Sequence, residues 1–256
     1  MKQTLTRYLP VKMMVVLLAV LLLSPTPMKA QQALGTPGLI HVPTAEMDSA
    51  GVARIGVHYV NKHMIPDEMV CDGEKFNSLT NYLSITPFSW VELSYGYTLW
   101  KMHRNLRKAN PTGFYSKDRY FSLRIQPLKE NAWWPSVVIG GNDVWGSGES
   151  GESGSNFYRN YYLALSKHLD LGGNLIGGHL AYRHWKLDSN SRWNGVVGGL
   201  TFQPAFYPKL RLMGEYDGWG VNAGADCEVF RYVLLQLSFQ QCKYLSAGLC
   251  LRIGLL

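Results

Sequence analysis

Ala53, Ile55, Val57 and Tyr59 alternate with Arg54, Gly56 and His58, and the same period of two returns along most of the chain. Val91, Leu93, Tyr95 and Tyr97 oppose Glu92, Ser94, Gly96 and Thr98; Phe121, Leu123 and Ile125 oppose Ser122, Arg124 and Gln126; Val233, Leu235, Leu237 and Phe239 oppose Gln236, Ser238 and Gln240. Successive side chains of a strand leave opposite faces, so the pattern predicts strands with one apolar and one polar face. Similar segments at 76–85, 136–144, 158–169, 175–185, 194–202, 210–216, 221–228 and 245–256 are separated by Gly, Pro, Asn and Asp. The total is about twelve strands (range roughly 10–14) of roughly 9–11 residues, the length a tilted strand needs to cross a membrane.

An all-β list of this kind fits a soluble sandwich with its apolar face inside or a transmembrane antiparallel up-and-down β-barrel with its apolar face outside. The connections favour the barrel. Those at 62–74, 100–118, 146–157 and 186–192 are long, and they alternate with shorter ones at 86–88, 127–135 and 170–174. Long outer loops alternating with short periplasmic turns are a barrel habit that a sandwich has no reason to copy. All eight tryptophans fall at strand ends or in turns, with Trp90, Trp133 and Trp134 toward one surface and Trp100, Trp145, Trp185, Trp193 and Trp219 toward the other. Indole prefers the headgroup region, so two membrane-anchoring belts are expected. The sequence closes within the strand Ser246–Leu256, as barrel closure requires, although Leu256 is not aromatic.

The N-terminus places Lys2, Arg7 and Lys12 before the apolar run Met13–Leu23, then Pro25, Pro27 and a small residue at Ala30. That layout predicts a cleaved signal peptide over residues 1–30, because the apolar run is too short for a helix across a bilayer about 30 Å thick. These residues hold four cations and no acids, so the formal charge of +7 falls to about +3 after cleavage. Export and a small mature charge exclude nucleic acid as an expected partner. The Gly- and Pro-rich segment 31–50 is expected to be a periplasmic segment or a partial plug, and 51–256 the barrel. Four cysteines, Cys71, Cys227, Cys242 and Cys250, are read as small apolar residues, with a Cys71–Cys242 bridge between outer loops as the alternative.

With the apolar face assigned to lipid, the lumen receives Arg54, Glu92, Arg124, His179, Arg183, Arg211, Glu215 and Asp217, together with His58 and Asp226. A small barrel is filled by side chains and buried charges persist when paired, so a bracing Arg–carboxylate network is expected, with a polar conduit as the other reading. Glu215 and Asp217 share one face about 6.8 Å apart, a spacing that inverting glycosidases also use but that any acidic alternating strand produces. Ser166 and His179 share the inward face without a nucleophile elbow around them. Asp143 falls on the face of Val137 and Ile139, which places it beyond the membrane or shifts the register by one. Lys101, Arg104, Arg107 and Lys108 form a basic outer loop suited to phosphate on glycolipid or to an acidic polysaccharide. Gly146–Gly151, GSGESG, satisfies the letter of G-x-G-x-x-G, but the next element alternates with period two where a phosphate site needs a helix, so the stretch is a loop.

Three stretches carry a resemblance: GTPGLIHVPTAEMDSAG near the start, PSVVIGGNDVWGSG followed by YYLALSKHLDL, and GGLTFQP followed by LRLMGEYDGWGVNAGADC. They resemble the YjbH-domain family of outer-membrane proteins linked to exopolysaccharide production. The resemblance implies an outer-membrane β-barrel with a polysaccharide-related role, and it draws attention to Asn142, Asp143, Gly146 and Gly148. The expectation is therefore a monomeric, non-enzymatic outer-membrane barrel serving exopolysaccharide or capsule export, assembly or surface attachment. Its partners would be outer-membrane lipid, polysaccharide and periplasmic export components. No catalytic residue, cofactor or metal is expected. A small diffusion pore and a barrel enzyme acting on lipid or glycan are the alternatives.

Overall fold

The computed structural model describes residues 31–145 and 156–255. The expected leader, 1–30, and Gly146 and Gly148 lie outside the described residues. In chain order the strands are β1 (Val52–Val60), β2 (Val70–Cys71), β3 (Glu74–Lys75), β4 (Ser78–Phe88), β5 (Val91–His103), β6 (Thr112–Leu128), β7 (Ser136–Asn142), β8 (Asn160–Leu171), β9 (Asn174–Trp185), β10 (Gly195–Gln203), β11 (Leu210–Tyr216), β12 (Val221–Phe230), β13 (Val233–Gln240) and β14 (Tyr244–Gly254). Strands β2 and β3 make a small hairpin in the β1–β4 connection. The remaining twelve each pair antiparallel with their neighbours in sequence, and β1 pairs with β14 to close the barrel, with Ile55 opposite Leu251. Among the described residues no helix is long and apolar enough to cross a membrane; the crossing is made by strands.

The direction of the side chains decides between barrel and sandwich. Ile55 is 49% exposed, Phe121 50% and Leu235 44%, whereas Arg54 and Arg124 are fully buried. A sandwich would reverse those values. Apolar side chains facing outward and charges turned inward describe a transmembrane barrel, since each closed strand satisfies its backbone hydrogen bonds without water. Close approach across the wall uses glycine where a neighbour needs room. Tyr82 lies over its partner Gly56, and Tyr120 over its partner Gly96, so an added Cβ would stand 2.1 Å and 2.4 Å from the respective rings or hydroxyl.

The connections keep the expected alternation: 61–77, 104–111, 143–159 and 186–194 at one rim, 89–90, 129–135 and 172–173 at the other. One expected boundary is corrected. The outer loop does not begin at Lys101, because β5 and β6 go on pairing past Trp100, with Met102 opposite Gly113 and His103 opposite Thr112. Lys101 therefore stands on β5, its ammonium 4.9 Å from the Phe76 ring and 5.9 Å from that of Phe114.

The tryptophan belts are also corrected. Trp90, Trp133, Trp134, Trp145 and Trp219 are exposed, but Trp100, Trp185 and Trp193 are buried. These three pack with Tyr120, Phe157, Tyr158, Leu34, Met64, Ile65 and Met69 into an apolar roof under the 61–77 connection. Strand parity explains two of them. Trp100 lies on the inward face of Glu92, Ser94 and Thr98, and Trp185 on that of His179 and Arg183. Arg192 ties the roof down, donating to Asp67 at 2.6 Å while its guanidinium lies 4.2 Å and 4.6 Å from the Trp193 and Trp219 rings. Lys75 also donates to Asp67. Partial burial opposes ionisation of Asp67, but the hydrogen bonds from Arg192 and Lys75 outweigh it and hold the carboxyl below its ordinary value.

Candidate functional site: a plugged lumen

Residues 31–48 run inside the barrel and are buried almost throughout. Pro37 and Pro43 remove backbone donors and Gly35 turns with φ +83°, so the segment cannot join a sheet ladder. It folds on itself instead, with Gln32 N donating to Thr36 O at 2.9 Å, Ala33 N to Ile40 O at 3.0 Å and Leu39 N to Val42 O at 2.9 Å. Leu39, Ile40, Val42, Ala45 and Met47 pack against wall residues Val138, Tyr162, Ala164, Ala181, Val197 and Met213. The Leu39 side chain sits so close to Gly199 that a Cβ there would stand 2.6 Å from Leu39 Cδ1.

The predicted lumen charges hold this segment. Glu215 on β11 accepts three successive backbone N–H groups, from Ile40 at 2.9 Å, His41 at 2.9 Å and Val42 at 3.1 Å. Consecutive N–H groups converging on one carboxylate form a nest. Arg124 donates to Glu92 at 3.3 Å and to the plug carbonyls of Thr44 at 2.5 Å and Glu46 at 3.0 Å. Arg54 forms a two-pronged pair with Asp48, both contacts 2.7 Å. Arg211 bridges Asp226 at 3.0 Å and Glu46 at 3.2 Å. Arg183 donates to the carbonyls of His41 at 2.7 Å and Asp217 at 2.9 Å. The wall thus supplies most of the charge and the plug mainly backbone groups, completed by Glu46 and Asp48.

Two possible reaction centres are occupied by structure. Asp217 is not on the strand with Glu215: β11 ends at Tyr216, and Asp217 caps the following turn by accepting from Trp219 N and Gly220 N, each at 2.9 Å. Asn222 ties the two carboxylates together, donating to Glu215 at 2.8 Å and Asp217 at 3.0 Å. Ser166 Oγ lies 2.8 Å from His179 Nδ1, and His179 Nε2 lies 3.2 Å from Thr201 Oγ1. The Ser166 hydroxyl also accepts from Ala45 N at 2.8 Å, beneath the plug. Both constellations brace the filling of the barrel.

Asn142 ends β7 facing inward and accepts from Ser122 at 2.7 Å. Asp143 lies just past the strand with φ +56°, 3.6 Å from Arg159, which is why strand parity does not describe it. Arg104, Arg107 and Lys108 are exposed on the 104–111 turn. The four cysteines are free thiols, so the Cys71–Cys242 alternative is not realised. Gln126 and Gln236, on the polar faces that strand period marks, donate to Ala45 O at 2.7 Å and Leu39 O at 3.1 Å. Reasoning from sequence missed His41, Glu46 and Asp48 as lumen residues, for which the signal was a Gly- and Pro-rich stretch without strand period.

A family model described as "Exopolysaccharide biosynthesis protein YbjH" matches residues 30–175. The chain is 24% identical over 268 residues to the uncharacterized lipoprotein YjbH of Escherichia coli K12, covering 87% of this chain and 35% of that protein. It therefore spans about a third of the length of that relative. Among solved structures, outer membrane phospholipase A from Escherichia coli overlaps with a TM-score of 0.37 at 12% identity, over 81% of this chain and 97% of the other. The Salmonella typhi outer membrane phospholipase dimer overlaps with a TM-score of 0.37 at 13% identity, over 81% and 92%. At these values the overlap assigns no site and no activity. The family match, by contrast, covers more than half of the sequence, and the chain belongs to the YjbH family of exopolysaccharide biosynthesis proteins.

Proposed function

We propose that the protein is a non-enzymatic barrel of the outer membrane, exported through a cleaved signal peptide, that serves export, assembly or surface attachment of an exopolysaccharide. The observation that carries the reading is the filling of the lumen. Glu215, Arg124, Arg54, Arg211 and Arg183 each hold residues 40–48 by a hydrogen bond or ion pair, so that among the described residues the plug occupies the polar lumen a diffusing solute would need. A plugged barrel suits a component that docks or guides a polymer better than one that leaks solutes. The same occupancy disfavours the enzyme alternative, because Ser166 and Glu215 would have to shed plug contacts before meeting a substrate.

Two experiments test this. Purified barrel in planar bilayers should give no stable single-channel conductance; steady ohmic channels from the unmodified chain would favour the pore instead. A chromosomal deletion should lower extracellular polysaccharide, and Ser166→Ala or His179→Gln variants that fold should restore it fully. Failure of either variant to complement would revive the enzyme reading.

A further inference from the structure

The β2–β3 hairpin turns through Asp72 and Gly73, with φ +53° and φ +81°, and Cys71 pairs with Glu74 across it. Two consecutive left-handed residues make the tight hairpin turn for which Asp-Gly is suited. Neighbouring side chains on a regular strand point apart. The left-handed Asp72 breaks that rule and brings its carboxylate to the same side as the Cys71 thiol. His103, at the end of β5, completes the group: one ligand atom from each of Cys71, Asp72 and His103 lies within 4.8 Å of the others.

We infer that Cys71, Asp72 and His103 form a binding site for a divalent transition metal of the Zn2+ type, with the remaining position open to water. Three features support this. Thiolate, imidazole and carboxylate together suit zinc, whereas Ca2+ and Mg2+ take oxygen ligands. The imidazole is already oriented, since His103 Nδ1 lies 2.9 Å from the Asn110 carbonyl, a contact it makes by donating its N–H, which leaves Nε2 to face the hairpin. Ligand atoms on a tetrahedral zinc stand roughly 3.3–3.7 Å apart. The present His103 Nε2–Asp72 Oδ2 contact of 2.6 Å therefore has to open by only about 1 Å on a half-exposed carboxylate. As the metal–sulfur bond forms, the thiol proton passes to solvent and no electrons are exchanged.

Lys108 opposes the site, its ammonium 4.0 Å from the Asp72 carboxylate, but that side chain is almost fully exposed and free to swing away. Bound metal would pin the hairpin to the rim at β5 and so steady the 61–77 roof over the plug.

The test uses the full chain, reduced, in detergent micelles, with Co2+ as spectroscopic probe and Zn2+ as competitor. One Co2+ per chain with a sulfur-to-metal charge-transfer band is expected, bleached by Zn2+. The band should be lost in Cys71→Ser and in His103→Gln and retained in Cys242→Ser, with heat-dependent gel mobility reporting the folded barrel in each. Lys108→Ala should tighten Co2+ binding severalfold. Absence of the band in the unmodified chain, or its survival in either Cys71→Ser or His103→Gln, would overturn the inference.

Discussion

Replacing Glu215 by alanine tests what holds the plug. The change removes the acceptor of three plug N–H groups and of the Asn222 amide. Leaving a buried donor without its acceptor costs about 1–3 kcal/mol, so the three plug N–H groups amount to roughly 3–9 kcal/mol before compensation. Water entering the vacated space recovers part of this, leaving about 3–4 kcal/mol. At 1.4 kcal/mol per tenfold, local opening of the plug should become about 10²- to 10³-fold more frequent. Amide hydrogen exchange measured on peptides spanning 31–50 reads this directly, because exchange follows the opening free energy of each segment. Ile40, His41 and Val42 should lose about two decades of protection or more. Thr44 and Asp48 keep their partners Arg124 and Arg54, so the barrel should remain folded. Glu215→Gln, which keeps one acceptor but turns an N–H₂ toward other donors, should fall between. Unchanged protection at Ile40–Val42 in a folded Glu215→Ala barrel would refute the assignment of Glu215 as the anchor.

Three further outcomes are expected. Leu237, 48% exposed on β13, should tolerate alanine with little loss, whereas Leu237→Arg should cost about 2–4 kcal/mol in denaturant unfolding from lipid vesicles; a large alanine effect would mean the residue is packed in a core. Gly96→Ala should destabilise by about 1–3 kcal/mol because its Cβ meets the Tyr120 ring, and Tyr120→Leu should relieve much of that in the double variant measured by the same unfolding assay. The Asp67 carboxyl is held below its ordinary value, so its contribution is present above about pH 4 and is lost as pH falls through the depressed folded value. Proteolysis of the 61–77 roof should accordingly accelerate on acidification, and Asp67→Asn should remove that pH dependence; an unchanged dependence in Asp67→Asn would rule out the latch.

The strands and their facing were legible in the sequence because lipid on one side and a polar lumen on the other impose the same two-residue rule on every strand separately. Ile55 against Arg54, or Phe121 against Arg124, carries its orientation in its immediate neighbours. The rule also contained more than the tryptophan belts drew from it, since parity alone turns Trp100 and Trp185 inward. Tertiary structure decided the rest. Whether residues 31–48 hang below the barrel or fill it depends on contacts such as Ile40 with Glu215, 175 positions apart, which no local period encodes. Nothing in the order of Cys71, Asp72 and His103 announces that a hairpin turn and a strand end meet at one rim. Periodicity is enforced by the solvent each face meets, and so it is written locally; the occupant of the lumen is chosen by the closed ring of strands, and so it exists only once the barrel has formed.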